Sequence, residues 1–358
     1  MKNITVIKIG SNSLLDDNHN INKEFLKRIV SLIKGLQSRG QKPLLVLSGA
    51  VATGKSDVDD FTSHQARAAR GQLIISSYMY QLGEQGKVKF AQFLISRQDI
   101  IQRDRYITLQ KTFQECLAAG VVPLINENDT TSAFNTHDFV DNDQIAAIVG
   151  VVAGASNIFL FTNVAGVFRL APDDKNTNQT PIARITDVNK ELMSLHVGKK
   201  SLAGRGGMES KLRSARLASF LGLTTYILDG RILEHALEIF DGDDCRGTMC
   251  LPWPHPISLS ERSQRIIVSH TSSASIKVDD GAVRALRQRK SLLAVGVVQV
   301  YGNFEVQDSV EIIDQKNQPI ALGVSALSSS GLNKMIVIKE KPFNTEVIHA
   351  DNLILFPL

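Results

Sequence analysis

Ile4-Thr-Val-Ile-Lys8-Ile-Gly10-Ser11-Asn12-Ser13 is an apolar run that carries one lysine and breaks into a small, glycine-bearing turn. Such a run, bounded by a turn signal, reads as a buried strand that delivers a loop. A lysine inside it is costly unless its charge is paired, so Lys8 is a candidate functional group rather than a surface residue. A second stretch answers it from far along the chain: Gly204-Arg205-Gly206-Gly207-Met208-Glu209-Ser210-Lys211, a glycine-rich loop running into a helical pattern with its own lysine. Glycines let a backbone approach a phosphate closely, and N–H groups at a helix start favour anions. Two such loops, each with a lysine, fit a site that grips a phosphate tail from both sides.

Between these stretches, strand-like runs alternate with helical patterns through about residue 250. Lys23–Gln37 places Phe25, Ile29, Leu32, Ile33 and Leu36 on one helical face, and Gly40 follows as a stop. Pro43–Leu47, Phe90–Ile95, Val121–Ile125, Ile158–Phe161 and Thr225–Leu228 read as further strands. The alternation predicts an α/β layer with a largely parallel sheet, whose ligands bind beyond the carboxyl ends of the strands. The loops to watch are therefore Gly10–Ser13, Ser48–Gly54, Asn126–Asp129 and Thr162–Gly166.

Three prolines in Leu251-Pro-Trp-Pro-His-Pro256 predict a stiff connector. Beyond about Ser273 the runs are short and strand-like, with turns expected at Asp279–Gly281, Gly302-Asn303 and Lys316-Asn317 and a basic helical piece at Ala282–Arg289. The expected division is 1–252 for the α/β domain, 253–272 for the linker and 273–358 for a small, mostly β domain.

The 358 residues suffice for two or three cores, and 43% hydrophobic with 21% charged residues is ordinary globular composition. A net charge of +4 does not by itself imply nucleic acid. Three cysteines, Cys116, Cys245 and Cys250, argue against a disulfide framework and fit a reducing cytoplasm. Cys245 and Cys250 lack a second ligand pair, so no zinc site is expected. The first residues do not read as a signal peptide, and no apolar run is long enough to span a membrane.

Gly49-Ala-Val-Ala-Thr-Gly54-Lys55-Ser56 fits the P-loop pattern letter for letter after a strand. The next residues are Asp57-Val-Asp59-Asp60, whose three carboxylates would repel a nucleotide, and no apolar helical stripe begins at once. The segment is expected to be a substrate loop, with Lys55 incidental.

Lys8-Ile-Gly10-Ser11, Ser48-Gly49-Ala50, Ile125-Asn126-Glu127-Asn128-Asp129, Asp141-Asn142-Asp143 and Gly206-Gly207-Met208 with Lys211 occur in that order. The set resembles the amino acid kinase family, and within it the branch that phosphorylates glutamate. Val278-Asp-Asp-Gly-Ala282 and Gly302-Asn303-Phe304 resemble the PUA domain that many members of that branch carry. The resemblance spans nearly the whole chain. It implies an αβα sandwich with a PUA-like domain, and an ATP-dependent transfer of phosphate to the γ-carboxylate of L-glutamate at the start of proline biosynthesis. It implies that Lys8 and Lys211 contact the moving phosphoryl group and that Asp143 organises them. Two ammonium groups about 4 Å apart repel by up to ~4 kcal/mol at an effective dielectric near 20, so a carboxylate that both touch is needed.

The resemblance further implies glutamate binding by Ser48, Asp129 and Asn142. Nucleotide binding falls to Lys8, Gly10, Thr162, Asn163, Arg205, Gly206, Gly207, Met208 and Lys211. No protein metal cage is expected: few carboxylates converge, so Mg²⁺ would ride on the nucleotide phosphates. Feedback inhibition by proline, homo-oligomerisation and delivery of product to glutamyl-phosphate reductase are also implied. Departures cluster on the nucleotide side. Thr162-Asn163 stands where the family has Thr-Asp, Ala165 where a lysine is common, Phe168-Arg-Leu-Ala-Pro172-Asp173 where a Tyr-Thr-Ala-Asp-Pro-like stretch is usual, and Arg205 where a threonine precedes the double glycine. Those departures leave open a kinase-fold regulator without turnover. Arg284, Arg287, Arg289 and Lys290 raise RNA binding as another reading. The nearby Asp279, Asp280, Glu305, Asp308 and Glu311 argue against it.

Overall fold

A computed structural model describes residues 3–16, 21–55, 63–131, 141–168, 180–188, 191–192, 207–253, 266, 274–337 and 345–356. Strand β1 (Ile4–Ile9) lies inside an eight-stranded sheet. The other strands are β2 (Lys42–Leu47), β3 (Phe90–Ile95), β4 (Val122–Glu127), β5 (Asn157–Thr162), β6 (Arg184–Ile185), β7 (Thr224–Asp229) and β8 (Gly247–Cys250), in the order β3-β4-β2-β1-β5-β7-β8-β6. All neighbours run parallel except β7 and β8. In register, Lys8 stands opposite Val46 on one side and Leu160 on the other.

Helices α1 (Lys23–Ser38), α2 (Ala50–Thr53), α3 (His64–Gly86), α4 (Arg97–Ile101), α5 (Arg103–Ala118), α6 (Asn142–Ala153), α7 (Met208–Phe220) and α8 (His235–Asp241) lie between the strands in sequence. The side chain of Asn22 accepts from the Phe25 N–H and starts α1, whose Leu26, Ile29, Ile33 and Leu36 are fully buried. They pack with Ile75 and Met79 of α3 against Ile7, Ile9, Leu45, Leu47, Phe159 and Phe161. Strand side chains alternate between faces, so Val6 and Lys8 point the other way, toward α6. Every residue of α6 from Asp143 to Ala153 is buried. This helix is the packed floor beneath Lys8.

Two glycines fix the segment after β2. A Cβ on Gly54 would lie 1.8 Å from the Arg67 carbonyl oxygen, and one on Gly71 would lie 1.7 Å from that of Ala50. The backbones of α2 and α3 touch there. This corrects the reading of Ser48–Gly54 as plain loop: a helical turn begins directly after Gly49, which sits at φ +92°. Gly54 serves helix packing, and Lys55 is exposed. Residues 56–60, which carry the three carboxylates, lie outside the described residues. A second correction concerns β4, which runs two residues past Ile125. Asn126 and Glu127 are buried strand residues rather than loop, with Asn126 Oδ1 accepting from the Glu127 N–H.

The contacts divide the chain into Met1–Ile257 and Ser258–Leu358. Trp253 belongs to the first unit, its N–H bonded to the Ser219 carbonyl and its ring packed on Phe220. The second unit contains β9 (Ser275–Val278), β10 (Leu292–Leu293), β11 (Val297–Tyr301), β12 (Ser309–Ile313), β13 (Pro319–Val324), β14 (Glu346–Ile348) and β15 (Leu353–Leu355). Five of them form a sheet in the order β11-β9-β12-β13-β15, and β10 pairs with β14. Ile276, Val278, Val310 and Ile312 centre its core. Asp279 is not a turn residue but the cap of α9 (Asp280–Arg287), accepting from the Ala282 N–H. The last described helix, α10 (Ser329–Val337), buries Leu332. Among the described residues no helix is long and apolar enough to cross a membrane.

Candidate active site

Lys8 ends its strand on the α6 face, and α6 opens with Asn142 and Asp143. The Asp141 side chain accepts from the Gln144 N–H and so fixes where the first turn begins. Helix α7 starts from Gly207, which is extended at φ −67° and ψ 176°, and places Lys211 within its first turn. The three elements converge on one carboxylate. Lys8 Nζ is 2.7 Å from Asp143 Oδ1, and Lys211 Nζ donates to Asp143 Oδ2 at 2.9 Å. Asp143 is fully buried, and both lysines are nearly so.

Burial alone would push the Asp143 carboxyl up. The ammonium groups of Lys8 and Lys211 outweigh it and hold the group below the usual carboxylate range. Burial and the Asp143 charge push the Asp141 carboxyl the other way, upward, against the Gln144 N–H and the same two ammonium groups. The cluster is thus two lysines sharing one carboxylate.

Gly10 opens the space above it. A Cβ there would lie 3.8 Å from Lys8 Nζ, and the residue's φ of −75° suits any amino acid. Gly10→Ala should therefore leave the melting temperature unchanged while its methyl occupies room beside the ammonium group. A fall in kcat/KM for nucleotide of about tenfold or more, roughly 1.4 kcal/mol or more, is expected from steady-state kinetics. Wild-type kinetics would show that no phosphate comes so close.

The remaining expected residues follow the ends of adjacent parallel strands. Ser48, after β2, donates its hydroxyl to the Ile9 carbonyl at 3.1 Å, so toward a ligand it can only accept. Asp129 opens a short 3₁₀ turn after β4. Asn142 Oδ1 is buried with no hydrogen-bond partner among the described residues. Thr162 ends β5 beside Asp229 of β7, its carbonyl accepting from the Gly230 N–H, and Asn163 is exposed. Gly207 and Met208 begin α7, whereas Arg205, Gly206 and the stretch 169–173 lie outside the described residues. Sequence reasoning assigned nothing to Asp141 or Ser210, although the Ser210 hydroxyl bonds Asp141 Oδ2. Asp141 carried a usable signal, an aspartate just before an apolar run, which is a helix-cap pattern. Among the described residues no group of three or more His, Cys, Asp or Glu could hold a metal.

Two buried lysines thus meet on one aspartate where β1 ends and α6 and α7 begin. The amino acid kinase family model matches residues 3–229 and the PUA domain model residues 274–341. The chain belongs to the amino acid kinase family. It is 33% identical to the glutamate 5-kinase of Desulfitobacterium hafniense (strain Y51) over 365 residues, covering 98% of this chain and 97% of that one. It is 33% identical to the glutamate 5-kinase of Nostoc punctiforme over 376 residues, 99% of this chain and 100% of that one. With the glutamate 5-kinase of Caldanaerobacter subterraneus subsp. tengcongensis it shares 32% over 372 residues, 98% and 97% of the two chains.

Proposed function

We propose that this protein transfers the γ-phosphoryl group of ATP to the γ-carboxylate of L-glutamate, giving L-glutamyl 5-phosphate for proline biosynthesis. The observation that carries the reading is the single buried carboxylate of Asp143 held by both Lys8 and Lys211. A γ-carboxylate with an ordinary pKa of about 4.3 is already an ionised nucleophile near pH 7. The chemistry asks for no general base. It asks for alignment and for positive charge around the moving phosphoryl group.

Lys8 and Lys211 supply that charge, and Asp143 holds the two ammonium groups close together. Ser48, Asn142 and Asp129 all offer acceptors, which suits the α-ammonium group of an amino acid. Gly10, Thr162, Asn163, Arg205, Gly206, Gly207 and Met208, with the two lysines, take the nucleotide. Mg²⁺ arrives with its phosphates, neutralising charge there. Residues 1–252 form the kinase domain, 253–272 a connecting segment and 273–358 the PUA domain. A cytoplasmic homo-oligomer, inhibited by proline and handing its product to glutamyl-phosphate reductase, completes the proposal.

The test is ADP release from Mg-ATP with and without L-glutamate, with hydroxylamine trapping the acyl phosphate. Glutamate-dependent ADP release with a matching yield of hydroxamate is expected. Folded protein that yields neither would overturn the reading in favour of a regulator without turnover.

A further inference from the structure

Lys211 and Asp143 sit on different helices, and their alignment needs those helices fixed against one another at the end where the chemistry falls. The residues just before each of them make a second contact. Ser210 Oγ donates to Asp141 Oδ2, and the other oxygen of Asp141 accepts from the Gln144 N–H at 2.9 Å. Asp141 therefore uses one oxygen to set the start of α6 and the other to hold the start of α7. Both side chains are only half-buried, so this contact adds little to the core. It lies one residue from Lys211 and two from Asp143.

We propose that the Ser210–Asp141 hydrogen bond is a positioning tie, locking the first turns of α6 and α7 in register so that Lys211 and Asp143 stay aligned on the phosphoryl group. The inference rests on the kinase reading above and deepens it. Ser210 and Asp141 act through Lys211 and Asp143 rather than on substrate. The other charged groups facing Asp141 are Asp143, Lys8 and Lys211. Removing the hydroxyl leaves all of them in place and frees only the relative motion of the two helix starts.

Ser210→Ala, Ser210→Thr, Asp141→Ala and the double variant test it in the full-length protein. Ser210→Ala should lower kcat by about 10–100-fold, the cost of a small misalignment. The KM for glutamate and the melting temperature should stay near wild type. Ser210→Thr, which keeps the hydroxyl, should recover most of the rate. In the Asp141→Ala background the further loss of the Ser210 hydroxyl should cost nothing, because both changes break one bond.

ADP affinity by calorimetry gives the same cycle without turnover, since a displaced Lys211 loosens the phosphates. Failure of the wild type to phosphorylate glutamate would count against the kinase reading alone, while the calorimetric cycle would still judge the tie. Wild-type kcat and ADP affinity in Ser210→Ala would overturn the proposal. So would an equal Ser210→Ala loss in both backgrounds, or a rate loss that merely follows a lowered melting temperature.

Discussion

Asp143→Asn should be close to inactive and measurably less stable. The substitution keeps the shape but removes the one negative charge between two buried ammonium groups. Breaking a buried ion pair from one side costs about 3–5 kcal/mol, because the partner charges stay behind uncompensated. Turnover should fall by about 10²–10³-fold, the scale found when one preorganised electrostatic group is lost. The stability difference has a defined pH dependence. Asp143 is held below its ordinary value in the folded protein, so its contribution is complete above about pH 4, where the unfolded carboxyl is ionised. It declines as pH falls toward the lowered folded value and is absent below it. Urea melts of wild type and Asp143→Asn at pH 7 and at pH 3 should therefore show a gap of several kcal/mol at the first that is smaller at the second. A constant gap at both would mean that Asp143 contributes by shape rather than charge.

Gly71→Ala should be the most damaging small substitution away from that cluster. The added methyl carbon would sit 1.7 Å from the Ala50 carbonyl oxygen, and no rotamer relieves a clash of backbone with backbone. Overpacking of this kind costs at least about 3 kcal/mol when a helix crossing must open. For a chain of this size that is a drop in melting temperature of about 6–12 °C. Ser48 immediately precedes the displaced turn, so the KM for glutamate should rise as well. Gly150→Ala is the contrast: its methyl meets only the side-chain ends of Leu223 at 3.0 Å and Ile158 at 3.3 Å, which can shift. Equal stability of the two variants would show that the α2–α3 crossing is more forgiving than its geometry implies.

The parallel sheet was legible because each central strand is a short apolar run followed by a turn, and such runs resemble little else. β1 and β3 matched their expected ends, Ile4–Ile9 and Phe90–Ile95, and β2, β5 and β7 came within a residue. β6, two residues long, and the antiparallel β8 carry no such pattern, since their pairing is set by neighbours far away in sequence. Lys8 announced itself by its cost inside an apolar strand. Lys211 stood out by the glycine-rich loop before it, whereas Asp143 needed the family resemblance, because an aspartate near a helix start is common. The Gly54–Gly71 contact stayed hidden. A glycine that lets two backbones touch has the same letter as one that cradles a phosphate, and here the P-loop spelling arises from the former. The Ser210–Asp141 bond joins residues 69 apart and leaves no periodic trace.

The place of β1 also governs when the active centre can come into being during synthesis. Its first neighbour, β2, emerges within a few dozen residues, but its second, β5, begins only at Asn157, and Lys211 comes later still. The earliest strand is therefore held for most of the domain's translation with one edge unpaired. Long-range parallel pairing of this kind is slow and exposes sticky edges while it waits. Until α7 has left the ribosome, Lys8 and Asp143 lack Lys211. Any aggregation on fast overexpression should then trace to the strand order rather than to the stability of the finished protein.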